Sequence, residues 1–166
     1  STAPTSTTAP STEVVSPAGF REVRVGESLE ENEARMGSSF ESGADPDPTS
    51  CVVVSLADVD GIYFIATAPG TEPVSDRGDL VVGRVTATSP LWVTTDGPAV
   101  EMSVEEVEAV LGDAVVDRRP HTYVEDGEYL IVGPADGRYV YETDGQVITA
   151  IHAGVEPVVS FVEACS

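Results

Sequence analysis

The chain lacks lysine entirely, and its 8 arginines stand against 29 aspartates and glutamates, which gives a formal net charge of −21. A surface this acidic repels phosphate backbones and anionic lipid head groups. We therefore expect no nucleic-acid partner and no direct binding to a membrane surface.

Cysteine is scarce, since Cys51 and Cys165 are the only two in 166 residues. Neither has a second cysteine at CxxC spacing, which argues against a thioredoxin-like redox site and against a zinc site. An even cysteine count is typical of exported chains, in which thiols pair. We expect a Cys51–Cys165 disulfide, and a pair of buried cytosolic thiols is the alternative.

The sequence also lacks an apolar run long enough to cross a bilayer. It contains none of the short motifs that mark metalloproteases, α/β-hydrolases or nucleotide-binding enzymes. We therefore expect no cofactor, no metal and no catalytic residue.

The first twelve residues use only serine, threonine, alanine and proline. Such a segment has nothing to bury, and we expect residues 1–18 to form a disordered tether. A spacer of this kind commonly follows the lipidated cysteine of an exported bacterial lipoprotein. We expect such an anchor upstream of Ser1 and a location that is extracellular or at the cell surface.

A thirteen-residue segment occurs twice, at 25–37 and 100–112, with seven identical positions and a constant offset of 75 residues. Both copies predict a short helix. Ser28 with Glu31, and Ser103 with Glu106, match the capping box, and a glycine closes each copy. We interpret the chain as a tandem duplication with repeats at 19–90 and 91–166.

Runs rich in β-branched and aromatic residues follow each helix and predict three to four antiparallel strands in each half. The predicted strands cover 20–25, 51–56, 62–66, 80–86, 91–93, 129–132, 139–142, 147–151 and 158–162, while 113–123 is predicted to be a loop. The fold class is α+β, and we expect one curved sheet with both helices on one face.

The helix starts Gly26-Glu27-Ser28 and Glu101-Met102-Ser103, each with its closing glycine, resemble the Gly-Met-Thr…Gly pattern of the tandem-repeat β-lactamase inhibitory proteins and small outer-membrane assembly lipoproteins. The first copy has Glu27 in place of methionine, and the second has Glu101 in place of glycine. The resemblance implies a repeat fold and a tendency to bind proteins; fold alone does not settle function.

A second resemblance covers about residues 20–166 and is to an uncharacterised family of secreted or lipid-anchored bacterial proteins. The segments that carry it are Cys51-Val-Val-Val, Pro120-His121-Thr-Tyr123, Tyr129-Leu130, Glu142-Thr-Asp144-Gly145 and Val162-Glu-Ala-Cys165-Ser166.

His121 lies among Arg118, Arg119 and Tyr123, a group that could recognise an anion or a carboxylate. The simpler interpretation, a loop histidine that hydrogen-bonds locally, is favoured. His152, the second histidine, is interpreted as a strand-face residue. A hydroxyl nucleophile assembled with His121 would make the chain a small hydrolase, which is the alternative function.

Tyr139 and Tyr141 share one face of a predicted strand, and Tyr63 is their counterpart in the first half. With Trp92 they would form an aromatic binding stripe on an open sheet face, although a core position is favoured. The sequence predicts an exported, non-catalytic binding module that recognises a protein or glycan partner in the cell envelope.

Overall fold

The structure, a computed structural model, describes residues 13–42 and 49–165. These residues form a mixed α+β fold with two α-helices, α1 (Leu29–Met36) and α2 (Val104–Leu111). Within these ranges, neither helix has the length and apolar character needed to cross a bilayer.

Twelve strands accompany the helices in the described ranges. They are β1 (Val14–Val15), β2 (Gly19–Phe20), β3 (Val23–Arg24), β4 (Glu41–Ser42), β5 (Cys51–Ser55), β6 (Ile62–Thr67), β7 (Val81–Ala87), β8 (Val93–Thr94), β9 (Val115–Pro120), β10 (Glu128–Val132), β11 (Arg138–Thr143) and β12 (Ile148–Gly154). Eight of them form one antiparallel sheet in the order β4-β5-β6-β7-β12-β11-β10-β9. Each half of the chain supplies four neighbouring strands, and the halves meet where β7 pairs with β12.

Both predicted capping boxes are confirmed. Ser28 Oγ accepts from the Glu31 amide at 3.0 Å, and Ser103 Oγ accepts from the Glu106 amide at 3.1 Å. Each glutamate accepts in return from the amide of its serine, which lowers the pKa of both carboxyls. The start of each helix is therefore fixed by local sequence.

One face of the sheet carries the main core, and both helices pack on it. Leu29 of α1 and Val107 of α2 belong to the same apolar cluster as alternate residues of the central strands. The strand residues include Phe64, Val85, Leu130, Tyr141 and Ile151. We call this the helix face and the opposite side the open face.

The C-terminal segment, residues 155–165, folds back over the open face. Val159 packs with Ile131 and Val140 in a second, smaller apolar cluster. The predicted disulfide is confirmed: the sulfurs of Cys51 and Cys165 are 2.04 Å apart. It ties the end of the C-terminal segment to β5, which lies in the other half of the chain.

Several predicted segments differ from the structure. Of the tether predicted for 1–18, residues 1–12 lie outside the described ranges, but Val15 is fully buried and β1 pairs in parallel with β8. The strand predicted at 20–25 is instead the β2–β3 hairpin, with Arg21 at a positive φ of 54° in its turn.

Two further corrections concern the second half. The loop predicted for 113–123 contains β9, which pairs with β10 and is the last strand in the order of the described sheet. The apolar run at 158–162 is not a strand, because Val158–Ser160 form a 3₁₀ turn directly after Pro157. In that turn Val158 and Val159 are buried against the sheet without joining it.

Removal of the disulfide tests how strongly it holds the C-terminal segment. We expect the double variant Cys51→Ala/Cys165→Ala to lose about 2–4 kcal/mol of unfolding free energy, because the unfolded chain regains the freedom that a 114-residue separation restricts. Urea denaturation of the variant and of the oxidised parent measures the difference in unfolding free energy. A difference below about 0.5 kcal/mol would contradict this role.

Candidate functional site

Two histidines converge on one glutamate on the open face. Glu142 lies on β11, His152 on the neighbouring β12, and His121 directly after β9. The Nε2 atom of His121 is 2.7 Å from Glu142 Oε1, and the Nε2 atom of His152 is 2.9 Å from Glu142 Oε2. Because an ionised carboxylate can only accept hydrogen bonds, each ring donates from Nε2.

The second nitrogen of His121 is also occupied. Its Nδ1 accepts from the backbone amides of Tyr123 at 3.0 Å and Val124 at 3.1 Å, so this nitrogen carries no proton. Tyr129 stacks on the ring with centroids 4.7 Å apart. These contacts fix the Nε2–H tautomer of His121 and leave the side chain only 6% exposed.

Both ring nitrogens of His152 also have hydrogen-bond partners. Its Nδ1 lies 2.9 Å from the hydroxyl of Thr86 on β7. Burial lowers the pKa of His152, and the hydrogen bond to Glu142 opposes that effect without reversing it. The ring is therefore neutral near pH 7, and the Thr86 hydroxyl donates to Nδ1.

Glu142 is the charged centre of this group, which we call the His–Glu–His cluster (His121, Glu142 and His152). The hydrogen bond from His152 is the largest cause that lowers the pKa of Glu142 to about 2, with His121 adding to it and burial opposing it. The carboxylate stays ionised at neutral pH although its side chain is only 25% exposed.

Arg84 lies on the same face, on β7, and is 1% exposed. Its Nη1 donates to the Phe161 carbonyl at 2.7 Å, and its Nη2 donates to the Tyr63 hydroxyl at 3.3 Å. Burial lowers the pKa of this guanidinium, and the charge of Glu142 acts in the opposite direction. Arg84 thus anchors the C-terminal segment beside the cluster.

A cleft opens above the cluster, between the loop at 121–127 and the C-terminal segment. Its inner cavity has a volume of about 170 Å³. Glu142 and His152 form part of its lining, together with Arg119, Pro120, Thr122, Tyr129, Ile131, Val140, Val159, Ser160, Phe161 and Val162. The inner cavity therefore combines apolar walls with polar side chains, among them the ionised carboxylate of Glu142 and the guanidinium of Arg119.

The outer cavity of the cleft is about 290 Å³ and is lined by Thr122, Tyr123, Phe161, Val162 and Glu163. It shares Thr122, Phe161 and Val162 with the inner cavity. Tyr123 closes one side by donating its hydroxyl to Glu163 Oε1 at 2.9 Å. The two cavities form a continuous surface that ends in exposed side chains, since Tyr123 is 67% and Val162 is 48% exposed.

The structure separates the residues that the sequence grouped. Tyr139 and Tyr141 lie in the core of the helix face, which is the position that the sequence favours, and burial raises the pKa of both. Tyr63 lies on the open face, so it does not share a face with them. Trp92 packs edge-on against Phe20 and donates to the Asp60 carbonyl at 2.8 Å. No aromatic stripe forms among these residues.

The two arginines of the predicted anion-recognising group pair with carboxylates of the chain itself. Arg118 bridges Glu108 of α2 at 2.7 Å and Glu128 of β10 at 2.5 Å. Arg119 points to the open face, where its Nε lies 2.9 Å from Asp117 Oδ2. Of the predicted binding residues, Arg119 and Tyr123 border the cleft, and His121 lies beneath it.

Sequence reasoning missed Glu142, Thr86 and Arg84. A usable signal existed, because Arg84 and Thr86 are polar residues two positions apart in an otherwise apolar strand. Such spacing puts both side chains on one face. Among residues 13–42 and 49–165, no three histidine, cysteine or carboxylate side chains are placed to hold a metal ion.

No protein-family sequence model matches the chain, and no curated protein matches it. Among solved structures, the chain is similar to the 1.5 Å crystal structure of an extracellular protein containing a SCP domain from Bacillus anthracis str. Ames, with a TM-score of 0.51 and 12% sequence identity. The match covers 94% of this chain and 50% of that one. The chain thus spans half the length of that protein, and at this identity the likeness shows the fold alone.

Substitution of Glu142 separates its role as a hydrogen-bond acceptor from its role as a negative charge. We expect Glu142→Ala to lower the unfolding free energy by about 2–4 kcal/mol, because two buried N–H donors lose their acceptor. Glu142→Gln should cost clearly less. Its carbonyl can accept from His121, while its amide can donate to His152 once that ring moves its proton to Nδ1 and donates to Thr86.

Urea denaturation of both variants measures the difference. The control is Glu105→Ala on the exposed side of α2, which removes an equal charge and should change stability by no more than about 0.5 kcal/mol. Equal losses in the alanine and glutamine variants would contradict the hydrogen-bond assignment.

Proposed function

We propose that the protein is an exported, non-catalytic binding module that recognises a protein or glycan partner through the cleft. The observation that carries this proposal is that the His–Glu–His cluster is hydrogen-bonded within the chain and lies below a cleft whose rim carries the exposed aromatic residue Tyr123. Every imidazole nitrogen has an intramolecular partner. A catalytic imidazole needs a nitrogen that reaches the substrate, or a nucleophile that faces the cavity. The hydroxyl beside His152 belongs to Thr86, which is fully buried and is not part of the cavity lining.

The rim of the cleft has the composition of a recognition surface. Tyr123 and Val162 are exposed on opposite sides of the outer cavity, and Phe161 lies partly buried between the two cavities. Exposed apolar groups that lie together mark interaction sites, and tyrosine is enriched in such interfaces. The rim is held by the disulfide and by Arg84, which reduces the ordering cost on binding.

The disulfide supports export, because disulfides persist in oxidising compartments such as the cell exterior. The acidic surface supports a partner that is neither nucleic acid nor an anionic lipid surface. We propose that the partner lies in the cell envelope. The lipid anchor stays a prediction.

We also propose that the two halves, 19–90 and 91–166, descend from one duplicated unit, and that their sheet is curved. Both helices carry the same capping box, and each capping serine bridges to a strand region near the middle of the sheet. Ser28 bridges to Val81, where β7 begins, and Ser103 bridges to Val147, directly before β12. Equivalent neighbours in the two halves support common descent.

A small hydrolase that uses His121 is the alternative. A carboxylate within hydrogen-bond reach and a nearby cavity both favour it. The orientation of the ring weighs against it, because Nε2–H donates to Glu142 and Nδ1 accepts from two backbone amides. A general base needs an unprotonated nitrogen within reach of the proton it takes, and in His121 backbone amides occupy that nitrogen. His121 is also not part of the cavity lining.

Site-specific photo-crosslinking in the cells that produce the protein tests the proposal. A photoreactive phenylalanine analogue at Tyr123 or Val162 should crosslink to the same partner, because both positions flank the outer cavity. The same residue at Leu91, which is 72% exposed and lies outside the cleft, is the matched control. Crosslinking to no partner, or equally from all three positions, would overturn the proposal.

A further inference from the structure

We propose that the inner cavity receives a lysine side chain of the partner, with its ammonium group on Glu142 and its alkyl stem between the apolar walls. This inference rests on the proposed function, and it names the chemistry of the partner. The cavity supplies three matching features: a carboxylate with spare acceptor capacity, an apolar channel and a charge that attracts cations.

The spare acceptor capacity follows from the hydrogen bonds of Glu142. A carboxylate offers about four lone-pair sites on two oxygens. The two imidazole N–H groups use one site on each oxygen. The carboxylate also lines the cavity and is 25% exposed, so sites remain for a donor that enters from the cleft.

The walls fit an alkyl stem. Ile131, Val140 and Val159 form the apolar cluster of the open face, and Tyr129 packs against them. Phe161 and Val162 line the mouth. Long cationic side chains bury their methylene stems along apolar surface while the charged head meets a polar group. A volume of about 170 Å³ accommodates one such side chain.

The electrostatics favour an ammonium group over an anion. None of the ion pairs in the described ranges joins Glu142 to an arginine. Of the two arginines nearby, Arg119 is paired with Asp117, and Arg84 is directed to Phe161 and Tyr63. The chain as a whole carries −21, which concentrates cations at its surface.

The 166 residues of the chain contain no lysine, so none of them can supply the side chain, and we assign it to a partner. A sugar is the competing occupant, because hydroxyl groups could donate to Glu142 and a ring could stack on Tyr129. A sugar carries no charge, however, and the ionised carboxylate gives it a smaller advantage than it gives an ammonium group.

The test is an NMR titration of the full chain with small probes. The probes are N-acetyl-lysine methylamide, its uncharged analogue N-acetyl-norleucine methylamide and a methyl hexoside. We expect the lysine probe alone to shift the signals of Tyr129, Val140 and the His152 ring. Binding should weaken at least tenfold in Glu142→Gln and remain unchanged in Glu105→Gln, which removes an equal charge outside the cleft.

Each outcome bears on the inference. Equal binding of the lysine and norleucine probes, or an affinity that survives Glu142→Gln in a folded variant, would overturn it. Shifts caused by the hexoside alone would overturn it in favour of a sugar. If no probe binds while crosslinking from Tyr123 and Val162 still captures one partner, the lysine inference fails and the proposed function stands.

Discussion

The open face depends on Glu142, whose carboxylate accepts hydrogen bonds from the N–H groups of two imidazole rings. It joins β11, β12 and the end of β9 through side chains, in addition to the backbone hydrogen bonds that pair the strands. Without these donors, an ionised carboxylate in this position would lose hydrogen bonds to water and gain few in the protein to replace them. With them, it remains charged, and both histidines are fixed in one tautomer. The cluster is therefore a structural element that also presents a charge to the cleft.

The C-terminal segment turns this charged face into a cleft. Without residues 155–165, Glu142 and Arg84 would lie on an open sheet surface. Contacts of different chemistry hold the segment, among them the disulfide to Cys51, the hydrogen bond from Arg84 to Phe161, and the buried side chain of Val159. Because these contacts come from both halves of the sheet, the width of the cleft is linked to how the halves pair. Recognition and fold stability share the same residues.

Local signals in the sequence predicted the helices and the disulfide, but long-range pairing determined the site. The capping boxes at Ser28 and Ser103 act within four residues, so the sequence alone located both helices. His121 and Glu142 are 21 residues apart, and their contact depends on the registers of β9, β10 and β11. The alignment of Tyr63 with Tyr139 predicts the same sheet face for both, and this prediction is wrong. A shift of one residue in the alignment of two strands moves every side chain to the opposite face. The apolar run 158–162 satisfied a strand pattern that tertiary packing overrode.

No imidazole nitrogen of His121 or His152 is free to reach a substrate. Two-bond ¹H–¹⁵N correlation spectra of the imidazole rings test it directly, because they distinguish a protonated ring nitrogen from a bare one. We predict that at pH 8 both rings show a protonated Nε2 and a bare Nδ1. We also predict that His152 keeps this pattern at pH 6.5, where an ordinary imidazole is about half protonated, since burial lowers its pKa. A ring that exchanges between tautomers, or a bare Nε2 on His121, would contradict the account.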